Sequence, residues 1–150
     1  MPKILELGAG MTPRENAVNH DRIKHSNHID VAWGLEVYPW PWQDEEWDEI
    51  RANDVFEHMS ADIHTWLSEL HRILKKGGIL RLRLPAWDNH LSYRDPTHKK
   101  VFHEETFDYF DPEKALYKEF GRYYWDVVPT FMVNYVGREN NDLVFQFNKI

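Results

Sequence analysis

An apolar run broken by one acid, Ile4-Leu5-Glu6-Leu7, ends directly on Gly8-Ala9-Gly10. The run reads as a short buried strand. The glycines allow a sharp turn with positive φ and let a ligand lie against bare backbone. A carboxylate among apolar neighbours is costly to bury unless hydrogen bonds reach it, which singles out Glu6. Strand, acid and glycine turn together predict a small-molecule site at the carboxyl edge of a parallel sheet. Taken alone, a Gly-x-Gly after an apolar run is often only a tight loop.

The next segments supply the rest of such a sheet. Residues 11–16 are too short and turn-rich for a long crossover helix, so the first connection is reduced to a turn before a short strand at Ala17–Asp21. His28–Trp33 reads as a third strand and Trp47–Asn53 as a fourth. Between them, Tyr38-Pro39-Trp40-Pro41-Trp42 cannot continue a helix or a central strand and reads as a surface loop with its aromatics packed down. Ser60 is a good N-cap for a helix carrying Ile63, Trp66, Leu67, Leu70, Ile73 and Leu74 on one face. Lys75 and Lys76 suit its negative end, and Gly77 its left-handed terminator. Ile79–Leu84 alternates strictly, with Leu80, Leu82 and Leu84 on one side and Ile79, Arg81 and Arg83 on the other. Residues 86–111 are irregular and rich in polar chemistry. Asp111-Pro112 then opens a helix to about Phe120, closed by Gly121. A terminal hairpin follows, with strands within Tyr124–Tyr135 and Leu143–Phe147 and a turn over Gly137–Asn141.

Composition narrows the class. The 150 residues carry a net charge of -7, contain no cysteine and show no repeat or linker, as expected for one domain over residues 1–150. No apolar run reaches the ~18 residues of a membrane span, and the start runs straight into the first strand without space for a signal peptide. A cytoplasmic location is expected. The negative charge argues against a surface built for phosphate backbones.

Four stretches in order resemble the class I S-adenosylmethionine-dependent methyltransferases, and more closely their small, type 11-like and phage-type branch. They are Glu6–Gly10, Val18–Asp21, Asn53–Met59 and Glu69–Gly78. The resemblance implies an α/β fold with a Rossmann-like, mostly parallel sheet, shortened crossover helices and a C-terminal antiparallel hairpin. It implies S-adenosylmethionine as cofactor. By position, Glu6 would help hold the methionine part, while Gly8, Ala9 and Gly10 would form the turn beside the ligand. Asp21 would take the ribose hydroxyls, and Asn53 and Asp54 would lie beside the methionine moiety and the methyl group. Where the family often has an acid after strand three, this chain has Gly34-Leu35, so adenine recognition would fall to backbone and apolar packing.

Methyl transfer from a sulfonium needs alignment more than acid–base chemistry. Tyr93, Asp95 and His98, with His103, are the candidates on the acceptor side. Asp95 and Thr97 could equally shape a turn, and His58 could simply pack or hydrogen-bond locally. His98, His103 and Glu104 form the one histidine grouping worth naming; their spacing matches no zinc signature, and no metal is expected. The motif of amino-methylating DNA enzymes is absent, which favours a small-molecule acceptor over nucleic acid. The rival readings are a non-catalytic module that binds the cofactor or a related nucleoside and, less favoured, a hydrolase or lyase acting on the nucleoside.

Overall fold

The computed structural model describes residues 1–150. Seven strands form one sheet: β1 (Ile4–Leu7), β2 (Val18–Asp21), β3 (Val31–Ala32), β4 (Trp47–Asn53), β5 (Leu74–Pro85), β6 (Phe131–Glu139) and β7 (Asp142–Lys149). Their order is β3-β2-β1-β4-β5-β7-β6. The first five are parallel; β7 runs antiparallel to both β5 and β6. This is the expected Rossmann-like sheet with a terminal hairpin.

Alternation along β5 explains an unusual feature of the layers. Leu80, Leu82 and Leu84 pair with Phe147, Phe145 and Leu143 of β7, so one face of this half-sheet is continuously apolar. Helix α1 (Ile63–Ile73) and the 3-10 turn Thr106–Phe110 supply its cover. Trp66 stacks on Phe56 at 4.3 Å, and Phe107 meets Phe145 and Phe147 edge-on at 4.9 and 5.1 Å. The opposite face carries charge instead of a helix. There Glu49 accepts from Arg51 and Arg81, and Arg81 reaches on to Gln146. A parallel sheet is ordinarily covered on both faces. Here paired side chains take over part of that role on the face that no helix covers.

The Pro-Trp loop does pack down, with Trp40 and Trp42 buried and Trp42 set edge-on to both His20 and Trp47. Several boundaries differ from expectation. The N-cap of α1 is Asp62, whose carboxylate accepts from the Thr65 amide at 2.9 Å, and not Ser60. The helix ends at Ile73, and Lys75, Lys76 and Gly77 belong to β5. The β4–β5 register jumps there from Trp47–Leu74 to Glu49–Ile79, and Gly77 takes φ +76° within the bulge. β3 is shorter than predicted. Asp111 does not open a helix. Its carboxylate instead accepts from the amides of Glu113 and Val133, and helical structure comes later, as a π turn Tyr117–Gly121 running into Arg122–Tyr124. Gly121 therefore sits inside this element, against the Tyr109 carbonyl, where a Cβ has no room. The hairpin turn is only Asn140-Asn141, both at positive φ, while Gly137 lies in β6. Residues 86–111 include a short helix α2 (Leu91–Arg94) besides the 3-10 turn.

Candidate functional site

The carboxyl ends of β1, β2, β3 and β4 converge on one pocket of about 360 Å3, lined by Gly8, His20, Asp21, Arg22, Trp33, Leu35, Glu36, Asp54, Val55, His58 and Met59. That size falls in the range of small-ligand sites. Its floor is the glycine turn. Gly8 has φ +63°, and a Cβ there would stand 2.6 Å from Val55 Cγ2, so the bare backbone is a steric requirement. The turn is tied down from β2. The Gly10 amide donates to Asp21 Oδ2 at 2.9 Å, and the Ala9 amide to the His20 carbonyl at 2.8 Å.

His20 is held in a single tautomer. Its Nε2 lies 2.8 Å from the Trp33 carbonyl, which can only accept, so Nε2 carries the proton. Its Nδ1 lies 3.3 Å from the Gly8 amide, which can only donate, so Nδ1 is bare. Burial is the main cause that holds the ring below the ordinary imidazole pKa, against the Trp33 bond and the Asp21 charge.

Asp21 is pushed up by burial, but the amides of Arg22 and Gly10 and the His25 ring outweigh this and hold it below the usual carboxylate range. It is thus an anion at neutral pH. Asp54 has φ +57° at the end of β4, and its Oδ2 accepts from Arg83 at 2.7 Å. Glu36 ties the loop after β3 to the approach of α1 by accepting from the amides of Ser60 and Ala61.

A second pocket of about 280 Å3 adjoins the first and shares Asp54 and His58 with it; Glu57, Pro85, Leu91, Asp95, His98 and Asp142 complete its walls. Glu57 is buried, and desolvation, reinforced by Asp54 and Asp142, raises its carboxyl to about 8. The segment 95–98 is brought to this place by backbone bonds from the Lys99 and Lys100 amides to the Glu57 carbonyl. Thr97 donates to Asp95 Oδ1 at 2.6 Å, and its oxygen stands 3.0 Å from His58 Nδ1. His98 lies edge-on to His58 with ring centres 4.8 Å apart, its Nε2 3.5 Å from Asp95 Oδ2.

Of the residues singled out in the sequence, Gly8, Asp21, Leu35 and Asp54 line the first pocket, and Ala9 and Gly10 form the turn beneath it. Gly34 closes the turn after β3 by accepting from Val37. Asn53 is exposed at the end of β4. Glu6 is buried on the far side of β1 from Leu5 and Leu7, across from Arg51; burial raises its carboxyl, and its Oε2 has no partner. Asp95 and His98 line the second pocket, whereas Tyr93 is 69% exposed outside it. The grouping of His98 with His103 and Glu104 does not form. Glu104 bonds Arg138 and Trp87, and His103 stacks on Trp87, while His98 faces Glu57 and His58. Sequence reasoning missed His20 and Glu57 because burial, which gives both their character, has no local signature.

The polar lining suits an adenosyl sulfonium. Asp21 and Asp54 supply negative charge, the Gly8 backbone permits close approach, and Trp33 and Leu35 offer apolar surface. Comparisons agree. Residues 9–82 match the family model described as a methyltransferase domain. A comparison with curated proteins finds no match. Among solved structures, the chain is similar to a SAM-dependent methyltransferase from Archaeoglobus fulgidus, with TM-score 0.68, 15% identity, and 99% of this chain covering 86% of that one. A possible histamine N-methyltransferase from Thermotoga maritima gives TM-score 0.65 and 16% identity over 100% and 83%. A Haloferax volcanii methyltransferase, solved with a methyltransferase activator, gives 0.65 and 13% over 99% and 82%. These likenesses give the fold, and the matched segment spans the glycine turn to β5. The matched segment, about half of the chain, and the shared fold support a class I S-adenosylmethionine-dependent methyltransferase of the type 11 kind.

Proposed function

We propose that the enzyme holds S-adenosylmethionine in the pocket floored by Gly8 and transfers its methyl group to a small-molecule acceptor in the adjoining acidic pocket. The observation that carries this reading is the shared wall: Asp54 and His58 line both cavities, so a donor in one has an acceptor as its neighbour. Bound S-adenosylmethionine supplies an activated methyl group on a sulfonium, and the chain's own task is alignment.

In this reading Asp21 accepts from the ribose hydroxyls with lone pairs left over from its bonds to Gly10 and Arg22. Trp33 and Leu35 pack against adenine, and the Gly8 and Gly10 backbone carries the amino-acid end. Asp54, fixed by Arg83, lies beside the sulfonium. Glu6 acts from beneath by supporting β1, and Asn53 by positioning Asp54. Asp95 orients Thr97 and His98 on the acceptor side. The carboxylates of Asp54, Asp95 and Asp142 around that cavity repel phosphates. This favours a neutral or cationic small acceptor over nucleic acid.

The test is S-adenosylhomocysteine formation with a panel of small amines, alcohols and thiols set against oligonucleotides. Turnover with a small acceptor and none with oligonucleotides is expected. Turnover confined to nucleic acid overturns the acceptor assignment, and no thermal shift with S-adenosylhomocysteine at about 100 times an ordinary Kd overturns the donor pocket. No helix of the chain is long and apolar enough to cross a membrane.

A further inference from the structure

We propose that Glu57, His58 and His98 form a binding site for one divalent transition-metal ion of the Zn2+ class. One carboxylate oxygen of Glu57 and one ring nitrogen from each histidine lie within 4.8 Å of one another. Two of the three residues hold buried polar atoms with no partner in the protein. Glu57 is 1% exposed and its Oε1 is unbonded; the His98 side chain is 9% exposed and its Nδ1 is unbonded. Leaving such atoms unpaired costs stability unless something fills the site.

A hydrogen bond at His58 and a charge contact at His98 prepare the two rings for coordination. The Thr97 hydroxyl spends its single proton on Asp95 Oδ1, so the contact at 3.0 Å makes His58 Nδ1 the donor and leaves His58 Nε2 bare. His98 Nε2 stands 3.5 Å from Asp95 Oδ2, a charge contact that favours the proton on that nitrogen, and its buried Nδ1 has no hydrogen-bond partner. One carboxylate thus orients both histidines, directly and through Thr97. This is the arrangement by which outer groups set the tautomer of metal-binding imidazoles. Two neutral imidazoles and one carboxylate form a donor set for Zn2+ and its first-row neighbours, and not for Mg2+ or Ca2+, which prefer all-oxygen shells.

The surroundings favour a cation. Asp54 and Asp142 line the same cavity, and Arg83 pairs with both of them. Metal–nitrogen bonds of ~2.1 Å put tetrahedral ligands roughly 3.4 Å apart, so from separations within 4.8 Å the trio closes by at most about an ångström and a half on binding. The exposed His58 is free to make that movement. Three protein ligands leave at least one coordination position open toward the cavity. Use of that position by the acceptor rests on the donor-pocket reading, whereas the ion site itself does not.

The test uses the full chain stripped with a chelator and titrated with Zn2+ and Co2+, with Mg2+ as the hard-cation comparison. One ion per chain, a visible Co2+ spectrum and a raised Tm are expected, with no response to Mg2+. His58→Ala, on an exposed side chain that the fold does not need, Glu57→Gln and His98→Ala each weaken binding about 10-fold or more, and Thr97→Ala acts in the same direction through His58. His28→Ala, which removes one ring of the separate His25–His28 pair, leaves it unchanged. Absent Zn2+ and Co2+ binding by the folded chain overturns the proposal, as does binding that survives His58→Ala or disappears with His28→Ala. Binding of a small protonated amine by the stripped chain, lost in His58→Ala and unaccompanied by metal binding, overturns it too. S-adenosylhomocysteine binding measured in the presence of chelator reports on the donor pocket separately.

Discussion

His20 Nδ1 accepts the Gly8 amide at 3.3 Å only because its Nε2 donates to the Trp33 carbonyl at 2.8 Å. One neutral imidazole therefore ties the glycine turn to the end of β3, and with them two walls of the proposed donor pocket. Protonation of Nδ1 would set two donors face to face.

That relationship has a pH consequence. Burial lowers the His20 pKa from the ordinary 6.5, so the unfolded chain binds the proton more tightly than the folded one. Stability from this group is complete above 6.5 and falls as pH drops from there toward the lowered folded value. Thermal melting between about pH 8 and pH 5.5 is expected to show this acid loss, and His20→Gln to reduce it, since Gln cannot take up the proton. An identical acid slope in the variant would remove His20 from this role.

Gly8→Ala meets two obstacles, a left-handed φ and the Val55 methyl. The conformational part costs roughly 1–2 kcal/mol. Adding Val55→Ala relieves the clash but not the φ, so the double variant should recover part of the lost stability. Full recovery would mean that φ is unimportant, and no recovery that Val55 is not the neighbour that matters. Both are read from chemical denaturation.

Asp21→Ala deprives the Gly10 and Arg22 amides of their acceptor and removes the proposed ribose partner. Calorimetry should show S-adenosylhomocysteine binding weakened at least about 10-fold, the equivalent of one charge-assisted hydrogen bond. Asp21→Asn keeps an acceptor and should fall in between. Affinity equal to the parent in both variants would exclude the assignment.

Asp111 is 4% exposed and accepts from Val133 at 2.8 Å and Glu113 at 3.0 Å, which couples the start of the terminal segment to β6. Asp111→Ala leaves the buried Val133 amide without a partner, at a cost of about 1–3 kcal/mol. Equilibrium unfolding should show that loss with little change in cofactor affinity; a neutral effect would refute the coupling.

Most of the sheet was legible because its signals are local. Alternation in Ile79–Leu84, the acid-ended second strand and the glycine turn each report their own conformation. Glycine was where reading faltered. Gly77, Gly121 and Gly137 look like terminators, but one serves a strand bulge, one a close approach to the Tyr109 carbonyl and one a strand interior. Those uses depend on what packs beside the residue. The same holds for the start of α1, where residue type pointed to Ser60 and the bond to the Thr65 amide makes Asp62 the cap.

The sequence by itself determined the parallel sheet, the turn at Gly8 to Gly10 and the acid of β2 beside it, because each follows from residue type and short-range spacing. Only the tertiary structure decided that Glu57 and His58 meet Asp95 and His98. Those segments are joined by backbone bonds from Lys99 and Lys100 to the Glu57 carbonyl, a contact across some 40 residues. It also decided that His20 is neutral and Glu57 holds its proton to about 8, since both follow from desolvation. Burial is a property of the assembled molecule, and no stretch of chain carries it alone.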